Sequence, residues 1–230
     1  MLLAAGRGER MRPLTDTCPK PLLPVRGKPL MQWAMEALAR GGFDRVLVNT
    51  AWLEEQISSH FGTSCSPAGH SLLLISYSQE GRDFGSALET AGGIARALPG
   101  LDEVFWVLAG DVFAPDFAFT RAAYERFAAS DKLAHIWLVP NPPHNLKGDF
   151  GLNQGLALNH AEVKHTYSTI GLYRRAFFNS LPFGNPAGLK APLAPLLRAA
   201  MDNGQVSAEL YTGAWTDVGT PERLAELNAP

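Results

Sequence analysis

The stretch that decides the fold runs from Leu3 to Leu30 and reads LAAGRGERMRPLTDTCPKPLLPVRGKPL. The apolar run Leu2–Ala5 comes immediately before a loop that contains Gly6 and Gly8. An apolar run of this length predicts a buried strand. A glycine-rich loop after a strand can bring backbone N–H groups close to phosphate oxygens. The opening of the chain therefore predicts a strand that leads into a phosphate-binding loop.

The same stretch is rich in positive charge. Its only acids are Glu9 and Asp16, and its first part carries four cations, namely Arg7, Arg10, Arg12 and Lys20. Because like charges repel when they are crowded, we expect this segment to face a polyanionic ligand.

Two other phosphate-binding motifs do not fit this loop. A dinucleotide-binding loop needs a third glycine at the position of Met11, and a P-loop ends in Gly-Lys-Ser/Thr, which this stretch lacks. The sequence therefore argues against a nicotinamide-dependent dehydrogenase and against a P-loop NTPase.

Beyond the loop, apolar segments of strand type alternate with segments of helical periodicity. The predicted strands are Arg45–Asn49, Leu72–Ser76, Val104–Ala109, Ala134–Val139, Tyr167–Tyr173 and Val206–Leu210. The predicted helices are Leu30–Arg40, Leu53–Phe61, Thr90–Leu98, Phe119–Ser130, Leu193–Asn203 and a last one from Pro221. This alternation predicts an α/β fold with a mostly parallel sheet. The rhythm weakens after Pro142, which suggests a core part, residues 1–140, and a smaller lobe, residues 141–230, within one domain.

Composition excludes several classes of protein. The chain has 230 residues, a formal net charge of -2 and two cysteines, Cys18 and Cys65. Near-neutral charge argues against a nucleic-acid or anionic-membrane binder, and two cysteines cannot form a disulfide framework. No segment approaches about 18 consecutive apolar residues and no secretory leader opens the chain. We therefore expect a cytoplasmic protein, and no interface signature predicts an oligomeric state.

The quoted stretch closely resembles the signature of the sugar-1-phosphate nucleotidyltransferases. The matching positions are Leu3-Ala4-Ala5-Gly6-x-Gly8-x-Arg10-Met11-x-Pro13-Leu14-Thr15, then Pro19-Lys20-Pro21-Leu22-Leu23-Pro24-Val25, then Gly27-Lys28-Pro29-Leu30. Within the family, the chain is similar to the small bacterial N-acetylmuramate 1-phosphate uridylyltransferases of cell-wall recycling. The supporting stretches are Asn49-x-Ala51-Trp52-Leu53, Leu88-Glu89-Thr90-x-Gly92-Gly93-Ile94, Gly148-Asp149-Phe150 and Trp215-x-Asp217-Val218-Gly219-Thr220. The resemblance implies a Rossmann-like mixed sheet flanked by helices.

The implied reaction is the transfer of a nucleotidyl group from a nucleoside triphosphate to a sugar 1-phosphate. Attacking and attacked groups are both anionic, so catalysis consists mainly of charge neutralisation and in-line positioning. By the resemblance, Arg10 holds the β- and γ-phosphates, and Lys20 contacts the α-phosphate and the incoming phosphate. The nucleotide would bind along Leu3, Ala4, Ala5, Gly6, Gly8 and Gly110.

The resemblance also implies a magnesium site. Asp111 follows the predicted strand Val104–Ala109, and a carboxylate at the carboxyl end of a parallel strand faces the ligand crevice. Asp217 matches the second metal carboxylate of the family. Oxygen ligands of this kind suit Mg²⁺. The histidines show no metal-ligand spacing and are predicted to be surface or loop residues.

Recognition of the base is predicted for Glu80, Glu89 and Thr90. A carboxylate at Glu80 would accept a hydrogen bond from uracil or thymine N3–H or from guanine N1–H, but it would repel the bare ring nitrogen of cytosine. We expect the backbone near Glu89 and Thr90 to contact the base, although many relatives carry glycine at the position of Glu89. The segment Gly81–Ala87 is expected to form a longer lid over the base.

Recognition of the sugar is predicted for Lys147, Gly148, Asp149 and Ser168, which match the family pattern or lie beside it. N-acetylmuramate carries a lactyl carboxylate, and Lys147 is the predicted cation for it.

The sequence thus predicts a uridylyltransferase that makes UDP-N-acetylmuramate from UTP and N-acetylmuramate 1-phosphate with Mg²⁺. Glucose 1-phosphate thymidylyltransferase and mannose 1-phosphate guanylyltransferase remain open as alternatives. A non-catalytic regulatory protein that binds nucleotide sugars is a further alternative. Such a protein is expected to have lost the loop lysine or a metal carboxylate, both of which this chain keeps.

Overall fold

The computed structural model describes residues 1–66 and 72–229, so His70, predicted to be a surface residue, lies outside the described residues. Within these ranges the strands of the first half are β1 (Leu2–Ala4), β2 (Pro24–Val25), β3 (Lys28–Pro29), β4 (Arg45–Thr50), β5 (Ser64–Cys65), β6 (Leu73–Gln79) and β7 (Val104–Ala109). Those that follow are β8 (Val112–Phe113), β9 (Ala134–Val139), β10 (Gly151–Asn153), β11 (Leu156–Leu158), β12 (Thr166–Arg174), β13 (Val206–Leu210) and β14 (Thr216–Asp217).

Helices connect most of these strands. The α-helices are α1 (Leu14–Thr17), α2 (Leu30–Arg40), α3 (Glu54–Phe61), α4 (Glu80–Phe84), α5 (Glu89–Ala97), α6 (Arg121–Ala128), α7 (Leu193–Asp202) and α8 (Pro221–Asn228). Short 3₁₀ turns cover Glu9–Met11, Lys20–Leu22, Leu98–Gly100 and Arg175–Phe178. In the described part of the chain, no helix combines the length and the apolar character needed to cross a membrane.

One mixed sheet runs through both parts of the chain. Its strand order is β10-β11-β13-β9-β12-β7-β1-β4-β6-β5. Strands β7, β1, β4 and β6 are parallel, whereas β12 pairs antiparallel with both β7 and β9. The predicted mixed sheet flanked by helices is therefore confirmed. Its run of four adjacent parallel strands comes from the first half of the chain, and β13 and β9 form a further parallel pair.

The alternation of side chains along β7 explains how the sheet is covered on both faces. Successive side chains of a strand point to opposite faces. Phe105 and Val107 belong to a core cluster that also contains residues of α5 and α7, while Trp106 and Leu108 belong to a second cluster with residues of α2 and α6. Because both faces are buried, β7 is a continuous apolar run, as expected of a central strand.

A third, smaller core lies beside the sheet. Two short two-stranded sheets, β2-β3 and β8-β14, pack there with α8 around residues such as Met11, Phe113 and Val218. These strands were not predicted from the sequence, because a strand of two residues is too short to show an alternation of apolar and polar side chains. They matter for the predicted metal site, because β8 begins directly after Asp111 and β14 contains Asp217.

The predicted element boundaries differ from the structure chiefly around Glu80. Strand β6 continues to Gln79, beyond the predicted end at Ser76, and Glu80 begins α4. The segment Gly81–Ala87, predicted to form a lid, contains the rest of this helix, and of its residues only Ala87 lines the cavity at the carboxyl ends of the parallel strands. Gly81 packs so closely on the backbone of Ala51 that a side chain at this position would collide with it.

Candidate active site

A cavity of about 700 Å³ opens at the carboxyl ends of the parallel strands. Ligands of open α/β sheets bind at this edge, in the crevice outside the carboxyl ends of the strands. The lining combines the glycine-rich loop, the ends of β1, β4 and β7, the start of α5, and residues of the second part of the chain. The predicted site residues among them are Leu3, Ala4, Ala5, Gly6, Gly8, Lys20, Glu89, Thr90, Asp111 and Asp149.

The glycine-rich loop is held in a fixed shape by its own contacts. Gly8 has a φ of 68°, a left-handed conformation that a glycine adopts without steric cost. Its carbonyl accepts hydrogen bonds from Met11 N at 2.8 Å and from Thr15 Oγ1 at 2.9 Å. Met11 is fully buried and anchors the turn. These contacts therefore fix the shape of the loop over the cavity.

The cations of this segment are partly compensated inside the protein, contrary to the reasoning from the sequence. Arg7 and Arg12 both contact Asp16 Oδ1, at 2.8 and 2.9 Å. Their hydrogen bonds and charges hold the pKa of the Asp16 carboxyl below its usual range. Arg10 is exposed and forms no hydrogen bond or ion pair within residues 1–66 and 72–229. Arg10 is thus the loop arginine that remains free to meet an anion, although it does not line the cavity.

Lys20 lies at the floor of the cavity and contacts Asp111. The Lys20 side chain is only 10% exposed, and its Nζ donates to Asp111 Oδ2 at 2.5 Å. Gly110, predicted to bind nucleotide, is buried just outside the cavity, where its N–H donates to Leu3 O at 2.8 Å. That bond ties the end of β7 to β1 and so fixes Asp111 beneath the loop.

Asp111 and Asp217 come from distant parts of the sequence, and the β8-β14 pair brings them together. Val218 N donates to Asp111 O at 2.9 Å, and Asp217 is registered with Val112. Asp217 Oδ1 accepts from the Arg223 guanidinium at 2.5 Å and lies 2.8 Å from His144 Nε2. Asp217 itself does not line the cavity. Neither His144 nor Arg223 lies in a metal-ligand pattern, so their contact with Asp217 was not predicted from the sequence.

These two carboxylates fit a divalent cation that prefers oxygen ligands. Asp111 Oδ1 and Asp217 Oδ2 accept no hydrogen bond from residues in the described ranges, so one oxygen of each remains available. Within these same ranges, no cluster of three or more His, Cys, Asp or Glu side chains is arranged around a common metal position. A pair of carboxylates is what Mg²⁺ requires when phosphates and water complete its shell.

The structure corrects the prediction that Glu80 contacts the base. Glu80 is fully buried, and its carboxylate accepts from Asn49 Nδ2 and from Leu88 N, both at 2.7 Å. Burial raises the pKa of this carboxyl, while the two hydrogen bonds act in the opposite direction. Both oxygens are therefore occupied inside the protein. Glu89 and Thr90 line the cavity instead, and Glu89 has a φ of 59°, which accounts for glycine being suitable at this position.

On the sugar side, one of the predicted residues reaches the cavity. Asp149 lines it, and its Oδ2 accepts from Tyr167 N at 2.8 Å. Gly148 lies behind Asp149, with a φ of 62°, and does not line the cavity. Lys147 is exposed outside the cavity.

Ser168 is fully buried. Its hydroxyl donates to Trp137 O at 2.7 Å and accepts from Ile170 N at 3.1 Å. The prediction that Ser168 contacts the sugar is therefore wrong for this conformation.

Arg198 is the cavity residue that the sequence analysis missed. Among the described residues that line the cavity, the cations are Lys20 and Arg198, and Arg198 lies at the sugar side with Asp149. Its guanidinium lies 5.3 Å from the centroid of the Phe150 ring, and its Nη1 donates to Asn159 Oδ1 at 2.8 Å. The available signal was its place on the amphipathic helix α7, next to the buried Leu197, which also lines the cavity.

Comparisons with known proteins agree with this geometry. A nucleotidyl transferase family model matches residues 1–153. N-acetylmuramate alpha-1-phosphate uridylyltransferase of Neisseria meningitidis serogroup B (strain MC58) is 46% identical and is aligned over 100% of this chain and 96% of that protein. UTP--glucose-1-phosphate uridylyltransferase of Synechocystis sp. (strain PCC 6803) is 40% identical over 95% of this chain and 59% of its own length. A solved structure of a putative glucose-1-phosphate thymidylyltransferase from Bacillus anthracis superposes with a TM-score of 0.79, at 19% identity, and covers 99% of this chain and 92% of that one.

Proposed function

Since the chain belongs to the nucleotidyl transferase family, we propose that it joins UTP and N-acetylmuramate 1-phosphate to give UDP-N-acetylmuramate and pyrophosphate. The observation that carries the proposal is the contact between Lys20 and Asp111 beneath the glycine-rich loop, inside a cavity open to both parts of the chain. The full-length relative of N. meningitidis supports the substrate pair. Residues 1–140 would bind the nucleotide and residues 141–230 the sugar.

In the proposed reaction, an oxygen of the sugar phosphate attacks the α-phosphorus of UTP. The bond from the α-phosphorus to the bridging oxygen breaks, and pyrophosphate leaves with that oxygen. Lys20 Nζ, held at the cavity floor, would turn from Asp111 towards the α-phosphate and stabilise the charge that builds there. Arg10, free in the loop, would hold the β- and γ-phosphates, and no nucleophilic side chain is needed.

The backbone of the loop would complete the nucleotide site. The segment from Ala5 to Gly8 would offer N–H groups to phosphate oxygens, and the hydrogen bonds to Gly8 O fix its shape. At the other end of the nucleotide, the backbone at Glu89 and Thr90 would contact the base. Because Glu80 is withdrawn from the cavity, discrimination between bases would rest on these backbone groups.

Asp111 and Asp217 would hold Mg²⁺ through their available oxygens. When bound, Mg²⁺ neutralises phosphate charge and aligns the reacting phosphates. Arg223 and His144 contact the other side of the Asp217 carboxylate and would keep it oriented.

The sugar would lie between Asp149 and Arg198. The Asp149 carboxylate can accept a hydrogen bond from a sugar hydroxyl, while Arg198 is the cation at the cavity for the lactyl carboxylate. This reassigns to Arg198 the role that the sequence analysis gave to Lys147. The proposed substrates are charged metabolites of cell-wall recycling, and such compounds are held in the cytoplasm.

A pyrophosphate-release assay tests the proposal. UTP, dTTP, GTP and CTP would each be combined with the 1-phosphates of N-acetylmuramate, N-acetylglucosamine, glucose and mannose, with and without Mg²⁺. We expect the highest kcat/KM for UTP with N-acetylmuramate 1-phosphate. A preference for dTTP with glucose 1-phosphate, or for GTP with mannose 1-phosphate, would contradict the substrate assignment and keep the reaction class. Absence of turnover with every pair would favour a regulatory protein that binds nucleotide sugars.

A further inference from the structure

A buried hydrogen-bond chain connects the glycine-rich loop with the segment that leads into α5. Ala4 N donates to Asn49 Oδ1 at 2.9 Å, and Asn49 Nδ2 donates to Glu80 Oε1 at 2.7 Å. The other oxygen, Glu80 Oε2, accepts from Leu88 N at 2.7 Å. Asn49 is 3% exposed and Glu80 is 0% exposed.

The direction of every bond in this chain is fixed. The backbone N–H groups of Ala4 and Leu88 can only donate, so the groups that face them must accept. Asn49 turns its oxygen to Ala4 and its amide N–H to Glu80, which leaves Glu80 as an acceptor on both sides. In the buried surroundings of this pair, a mismatched donor would have no water to turn to.

Both ends of this hydrogen-bond chain lie at the cavity. Ala4 lines it at the start of the glycine-rich loop, and Leu88 directly precedes Glu89 and Thr90, which line it on the base side. Space for the pair depends on Gly93, because a side-chain carbon there would collide with the Glu80 carboxylate and lie 2.8 Å from Asn49 Nδ2. A glycine within helix α5 is unfavourable for the helix itself, so its presence is explained by this close approach.

We propose that Asn49 and Glu80 are positioning residues that set the distance between the phosphate-binding loop and the base-binding segment. Asn49 lies at the cavity wall, but its amide oxygen and nitrogen are engaged by Ala4 N and by Glu80, so the pair acts through the backbone of Ala4 and Leu88. The inference rests on the proposed function, because it assumes that a nucleotide spans these two segments. A carboxylate in this place is costly to bury, and it is retained where the N–H groups of Asn49 and Leu88 converge and need acceptors.

Reversal of the hydrogen-bond polarity tests the inference. In Glu80→Gln, the new amide must direct its NH₂ group at a donor, either Asn49 Nδ2 or Leu88 N, whichever way it turns. In Asn49→Asp/Glu80→Gln, the aspartate accepts from Ala4 N and from the glutamine amide, while the glutamine oxygen accepts from Leu88 N. The double variant therefore restores every bond with the same net charge as the wild type, whereas the single variant cannot.

The readouts are the Kd of UTP measured by calorimetry without sugar, the two KM values and the melting temperature. For Glu80→Gln we expect the Kd and KM for UTP to rise about tenfold, with the KM for N-acetylmuramate 1-phosphate within threefold of the wild type. The double variant should return the UTP values to within threefold of the wild type. Gly93→Ala, which pushes a methyl group against the pair, should also weaken UTP binding.

Two outcomes would overturn the inference. One is a lower melting temperature for both Glu80→Gln and Gly93→Ala with unchanged UTP binding, which describes a structural role alone. The other is a double variant that binds UTP no better than Glu80→Gln. Failure of the wild-type protein to bind any nucleotide would instead refute the proposed function, so the two failures are distinguishable.

Discussion

Replacing Lys20 with glutamine removes the one positive charge at the cavity floor and leaves the surrounding backbone intact. The Lys20 side chain is 10% exposed and its Nζ lies 2.5 Å from Asp111 Oδ2, so the ammonium group is held where phosphate would bind. Preorganised charge in a water-poor site contributes about 2.7–4 kcal/mol to the stability of a transition state, or about 10²–10³ in kcat. We therefore expect kcat for pyrophosphate release to fall by about 10²–10³ in Lys20→Gln.

The effect on stability should be small. Asp111 is 38% exposed, so solvent screens its ion pair with Lys20, and exposed pairs contribute about 0–1 kcal/mol. For a chain of this length, that corresponds to a melting-temperature change of at most about 2–4 °C. Activity and stability are thus predicted to separate clearly in one variant.

Arg12→Gln is the matched control. Arg12 is another cation of the same segment, but it contacts Asp16 at 2.9 Å and does not line the cavity. We expect kcat/KM of Arg12→Gln to stay within threefold of the wild type. The reasoning would be refuted by a folded Lys20→Gln protein that keeps kcat within tenfold of the wild type, or by equal losses in both variants.

Three further predictions concern specificity, pH and backbone strain. Arg198→Gln should lower kcat/KM about tenfold for N-acetylmuramate 1-phosphate but less than threefold for N-acetylglucosamine 1-phosphate. Equal losses for the two substrates, or a larger effect of Lys147→Gln, would contradict the pairing of Arg198 with the lactyl carboxylate. Burial lowers the pKa of His135 from 6.5 to about 4, so between these pH values the unfolded chain takes up a proton that the folded protein does not. The free energy of unfolding should therefore fall by about 2–3 kcal/mol as the pH drops from 6.5 to 4. His135→Gln should flatten that part of the urea-unfolding profile, and an unchanged slope would exclude His135 as its source. Glu89→Gly should raise the free energy of unfolding by about 1 kcal/mol, because Glu89 has a φ of 59°, and a decrease in urea midpoint would argue against that strain.

Most of the sheet could be predicted from the sequence because its strands are buried on both faces. The predicted Val104–Ala109 and Ala134–Val139 coincide with β7 and β9; the first is a continuous apolar run and the second is interrupted only by His135. The pairs β2-β3 and β8-β14 were not predictable, because tertiary contacts stabilise them and two residues cannot show a period.

Placement of site residues was predictable for the glycine-rich segment and for the end of a central strand, and less so elsewhere. Gly8, Lys20 and Asp111 follow from the loop and from the end of a strand. Glu80 was misread because a carboxylate beside a predicted site looks the same in sequence whether it faces ligand or interior. Arg198 was missed for a related reason, since its helix α7 reads only as an amphipathic surface helix until the fold brings it to the cavity.

The pairing of β8 with β14 has a consequence for how the protein matures on the ribosome. Strand β8 is synthesised long before β14, so Asp111 leaves the exit tunnel well ahead of Asp217. Contacts between such distant segments form late, because closing a long loop is entropically costly. A nascent chain would therefore hold a folded parallel sheet before its carboxylate pair exists. Competence for metal binding would arrive as one of the last events of folding.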